Sequence, residues 1–82
     1  MYLEKTNNGE KTVVFAGEED EVYDKMYELV GRFIVEKQFN FESIILGKNM
    51  KTIGVGLAKT YDGISYFIKF EVKSSKGEQK WH

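Results

Sequence analysis

From about residue 18 to residue 37, Val22, Met26, Leu29, Val30, Phe33 and Ile34 recur at spacings of three and four. That rhythm brings apolar side chains onto one face of a helix, and Tyr23 and Tyr27 widen the stripe to roughly 160°. Glu18, Glu19, Asp20 and Glu21 crowd the predicted start and Lys37 stands at the end, the polarity that a helix dipole favours. Gly31 lies at the edge of the stripe. It costs a helix about 1 kcal/mol relative to Ala, and there it suggests the close approach of another backbone.

The flanking segments follow a different rhythm. Asn8-Gly9 separates residues 1–6 from residues 10–16, and Asn-Gly supplies the two positive φ angles that a tight hairpin turn requires. Counting outward from that pair places Leu3 opposite Val14 and Tyr2 opposite Phe15, so apolar side chains emerge on both faces. Asp62-Gly63 joins residues 52–61 to residues 64–73 in the same way. Here the count sets Ile53 against Val72, Val55 against Phe70 and Leu57 against Ile68, which collects the core residues on one face. The other face carries Thr52, Gly54, Gly56 and Ala58 opposite Lys73, Glu71, Lys69 and Phe67. Residues 39–48 read as a strand through Ile44-Ile45, the alternative being one helical turn capped by Asn40 and closed by Gly47.

The order β-β-α-β-β-β predicts an α+β fold: a two-layer sandwich with a mostly antiparallel sheet and one amphipathic helix on one face. Residues 1–73 are expected to form a single domain and residues 74–82 a flexible tail, Ser74-Ser75-Lys76-Gly77-Glu78-Gln79-Lys80 before Trp81-His82. A helix is about 10 Å wide, so one helix leaves the second face of a five-stranded sheet open.

Composition narrows the chemistry. Among 82 residues, 41% hydrophobic and 30% charged, there is enough apolar content for one small core. The absence of cysteine removes disulfides, thiol nucleophiles and Cys-based metal sites. The sole histidine is His82, which leaves Ser-His-Asp triads and histidine metal clusters without an anchor in the fold. Gly54-Val55-Gly56-Leu57-Ala58 lies inside a strand and lacks the Gly-Lys-Ser/Thr of a phosphate loop. The acids from Glu18 to Asp24 lack the spacing of a calcium loop and suit a helix start. No catalytic residue, cofactor or metal is therefore expected, and an enzyme built on a carboxylate pair is the weakest reading. No apolar run of about 18 residues occurs and Met1-Tyr2-Leu3-Glu4-Lys5 lacks the features of a signal peptide, which points to a cytoplasmic protein without a membrane partner.

The leading expectation is a non-enzymatic protein-interaction module, regulatory, inhibitory or adaptor-like, that acts through the open sheet face. Its partner would be a second copy in a homodimer or a larger target protein. Gly54, Gly56, Tyr61, Phe67 and Lys69 are the predicted contacts, because paired glycines in a strand allow another backbone to come close and exposed apolar area marks interaction sites. On that view Gly56→Lys spares the fold and abolishes association. The alternative is a single-stranded nucleic-acid binder using Phe67, Lys69, Lys73 and Trp81. Charge is unevenly spread in its favour: residues 1–42 hold ten acids and five bases, residues 43–82 three acids and seven bases. Against it stand a single arginine, Arg32, a pI near 5.8 and the interleaved Glu71 and Glu78, all unlike the basic footprint of such proteins.

Overall fold

A computed structural model describes residues 1–74. The expected tail beyond Ser74, with Trp81 and His82, lies outside the described residues. The chain forms β1 (Tyr2–Asn7), β2 (Glu10–Ala16), α1 (Glu19–Glu36), β3 (Asn40–Leu46), a short turn at Lys48–Met50, β4 (Thr52–Tyr61) and β5 (Ile64–Lys73). The strands make one antiparallel sheet in the order β2-β1-β5-β4-β3. Two hairpins are thus joined through β1 and β5, and β3 folds back along the outside of β4. The α+β two-layer architecture read from the sequence is the one observed.

Both tight turns have the expected chemistry, with positive φ at Asn8 and Gly9 and again at Asp62 and Gly63. The second hairpin keeps the predicted register, Val55 against Phe70 and Leu57 against Ile68. The first does not. Leu3 pairs with Phe15, not Val14, and Tyr2 pairs with Ala16, because the ladder shifts between Leu3 and Glu4. One extra residue in β2, Val14, forms a bulge, and a shift of one residue turns every later side chain to the opposite face. The bulge therefore brings Phe15 beside Leu3, on the helix side, where it packs against the core.

The core lies between α1 and the middle of the sheet. Val22, Met26 and Val30 of the helix meet Leu3, Val55, Leu57, Ile68, Phe70 and Val72, with Phe39 closing one end. Phe33 stands edge-on to both Phe39 and Phe70, ring centroids 5.4 and 5.6 Å apart. The helix starts with the Glu18 N–H donating to the Glu21 carboxylate at 3.1 Å, and ends where Gln38 takes a positive φ of 57° and Phe39 N–H donates to the Phe33 carbonyl. Gly31 is exposed and no atom lies within 4 Å of where its Cβ would stand, so the expected backbone approach does not occur there. No helix among the described residues is long and apolar enough to cross a membrane.

Candidate interaction surface

The pairing register distributes the expected contact residues over both faces of the sheet. Val55, Leu57, Ile68 and Phe70 point toward α1, so Gly54, Gly56, Phe67, Lys69 and Lys73 point away from it, while Tyr61 lies on the helix side. The two glycines are not bare. Both are buried. A Cβ on Gly56 would stand 2.6 Å from Ser43 Oγ and 3.1 Å from Phe67 Cζ; one on Gly54 would stand 3.0 Å from both Glu71 Cγ and the Phe70 carbonyl oxygen. Side chains of the same chain fill the space that a partner was expected to enter. Gly54 and Gly56 therefore offer no contact surface, and Gly56→Lys cannot leave the fold untouched.

Elsewhere the far face combines exposed Val13 and Phe67 with a cluster of charge about Glu71. Glu71 takes Lys69 Nζ at 3.2 Å on one carboxylate oxygen and Lys73 Nζ at 3.9 Å on the other. It also stands opposite Glu4 of β1, and the two lysines offset the repulsion that facing carboxylates would otherwise produce. Phe67, Lys69 and Lys73 do share this face, with both lysines already committed to Glu71. Among the described residues no group of three or more metal-ligating side chains gathers.

The larger unroofed apolar surface is on the helix side. There α1 packs on β5, β1, β2 and β4, and β3 runs beyond its cover. Phe41 pairs with Leu57 and Ile44 with Val55, which puts both on the helix side, yet they are 54% and 55% exposed. Beside them a hairpin arm projects. The β1 ladder stops at Asn7 opposite Ile68 and the β3 ladder at Asn40 opposite Ala58, so residues 59–66 of β4 and β5 have only each other as strand neighbours. The arm is two-sided: Tyr61, Ile64 and Tyr66 face the helix side, while Thr60 and Ser65, whose hydroxyls lie 3.5 Å apart, face the other. Phe39, Lys59, Tyr61 and Tyr66 line an open cleft of about 320 Å³ at its base, with Lys59 Nζ 5.8 Å from the centre of the Phe39 ring.

At the opposite end of β3, the turn at Lys48–Met50 carries two consecutive left-handed residues, Asn49 at φ 64° and Met50 at φ 60°. Asn tolerates that conformation; Met pays for it, and the Met50 side chain is 75% exposed. Lys51 anchors the turn to α1 by pairing with Glu19 and lying 4.4 Å above the Tyr23 ring. That hydrogen bond, and then the lysine charge, hold the Glu19 carboxyl below its ordinary range; the same bond holds the Lys51 ammonium above its own.

Of the predicted contacts, then, only Tyr61 belongs to this surface, together with Phe39, Phe41, Ile44, Met50 and Tyr66, which sequence reasoning passed over. Apolar residues on both sides of β3 were the available signal, but their exposure depends on β3 being an edge. Comparisons with protein families, curated proteins and solved structures find no match for this chain.

Proposed function

We propose that this chain is a small non-enzymatic protein-binding module, working in the cytoplasm, that grips its partner with the helix-side surface formed by the projecting arm and β3. The observation that carries the reading is the set of aromatic and aliphatic side chains that the single helix leaves uncovered, Tyr61, Ile64 and Tyr66 on the arm with Phe41 and Ile44 on the edge. Aromatic anchors beside a cleft are the usual centre of a protein interface, and a contiguous apolar area of this kind marks an interaction site. The surface expected from the sequence, the far face of the sheet, is displaced as the leading choice because its glycines are filled and Lys69 and Lys73 are held by Glu71.

The test is affinity recovery of the tagged chain from the cells that make it. A partner protein retained by wild type and by Lys11→Glu, a change at an exposed position of β2, and lost with Tyr61→Lys supports the reading. Equal recovery with Tyr61→Lys overturns it.

A further inference from the structure

We infer that the partner's segment seated in the cleft at the base of the arm is acidic: it carries a carboxylate that pairs with Lys59, beside an apolar side chain that lies against Phe39, Tyr61 and Tyr66. The inference rests on the reading of the helix-side surface given above and names the chemistry of its occupant.

The partly buried lysines divide into two groups. Lys25 has a carboxylate oxygen of Glu28 at 2.8 Å, and Lys69 and Lys73 have those of Glu71 at 3.2 and 3.9 Å. Lys5 and Lys59 are also partly buried, yet neither forms an ion pair among the described residues. Each stands by a ring instead, Lys5 Nζ 5.2 Å from the centre of Phe33 and Lys59 Nζ 5.8 Å from that of Phe39. The surroundings of the two differ. Lys5 borders a hollow that it shares with Glu10, so a carboxylate already stands on its rim. Lys59 is the one charged residue lining its cleft among the described residues, and the other walls are the rings of Phe39, Tyr61 and Tyr66.

A partner that covers this cleft takes water away from the Lys59 ammonium. A ring face replaces only part of that hydration, and a charge enclosed without a counter-charge is costly. An occupant that is apolar throughout therefore loses at Lys59 much of what it gains on the rings. A carboxylate removes the loss and adds a charge-assisted hydrogen bond, while Tyr61 and Tyr66, both exposed, give a neighbouring apolar side chain a wall to settle on. Other charges fit less well. Three rings would suit a cation, but the ammonium already beside Phe39 repels one. A phosphate group carries nearly two charges and is met by clusters of arginine; the sole arginine, Arg32, lies on the helix and is held by Glu28. One ammonium matches one carboxylate.

The probe is the blocked peptide acetyl-Leu-Glu-Leu-amide, titrated into the isotope-labelled full chain and followed by amide chemical shifts. Lys59, Tyr61 and Tyr66 should move, with a dissociation constant on the order of 1 mM. The same peptide with Gln at its centre should bind about fivefold more weakly at about 50 mM salt, and the gap should close toward about 500 mM. Lys59→Met should abolish the preference for Glu over Gln, whereas Lys59→Arg, which keeps the charge, should retain it; the amide spectrum of each variant reports its fold. Equal binding of the Glu and Gln peptides overturns the inference, as does a preference that survives Lys59→Met or tighter binding of a peptide with phosphoserine at the centre. So does the absence of any shift at these residues up to about 10 mM peptide. A partner protein that is lost with Tyr61→Lys but retained in full by Lys59→Glu would overturn the acidic segment alone and leave the helix-side surface standing.

Discussion

Glycine performs two separate tasks in this chain, and only coordinates tell them apart. Gly9 and Gly63 occupy left-handed turn positions; Gly54 and Gly56 make room for Glu71, Ile45, Ser43 and Phe67; Gly31 does neither. Gly31→Ala should accordingly raise stability by about 1 kcal/mol, the helix-propensity gain with no steric charge against it. Gly54→Ala should lower it by about 1–3 kcal/mol, because the Phe70 carbonyl oxygen on one side of the new methyl is part of the ladder and cannot turn aside. Urea denaturation of both variants checks the pair of signs. The sequence marked Gly54 and Gly56 as special but could not say whether the neighbour was foreign or internal. That distinction depends on the rotamers of Phe67 and Glu71, which no count of spacing reaches.

Among the elements, the helix and the two tight hairpins were legible because each follows from local pattern: 3.6-residue periodicity for α1, Asn-Gly and Asp-Gly for the turns. The bulge at Val14 was not, since outward counting from a turn assumes an unbroken ladder. Nor was the edge position of β3, which follows from β1 pairing with β5, a contact between the two ends of the described chain. Candidate contacts suffered accordingly, with Tyr61 retained and the glycines lost. The turn after β3 is fastened to the helix start by Lys51 and Glu19, and their shifts set a pH window. Glu19, lowered in the fold, contributes stability that is present above its ordinary value of 4.5 and lost as pH falls through its folded value. Lys51, raised in the fold, contributes stability that is present below its ordinary value of 10.5 and lost as pH rises through its folded value. Glu19→Gln should therefore have a lower denaturation midpoint than wild type near pH 7, with the difference closing toward about pH 3. A difference independent of pH would show that the pair does not tie the turn to the helix. Both side chains are about half exposed, so the effect is that of a surface pair, small and weakened by salt.

The molecule as a whole has a firm centre and a soft end. Val55, Leu57 and Phe70 are almost fully buried, whereas residues 59–66 form a two-strand arm with no further strand beside it, a geometry marginal in water by itself. In dilute solution, amides at the arm tip should exchange at least about 100-fold faster than those of Leu57 and Phe70. The junction of the two hairpins carries a different cost. Leu3 rests against Val72 across the β1 and β5 ladder, so one of the two interior seams of the sheet joins the earliest strand to the latest. Local turns can close at once, but this seam must await nearly the whole described chain, and loop closure over that span slows the search. On a ribosome, the first hairpin would emerge with its greasy side uncovered and wait for the last strand to be synthesised. For that interval its safety rests on Glu10, Lys11 and the kink at Val14, devices that guard the nascent chain as much as the finished one.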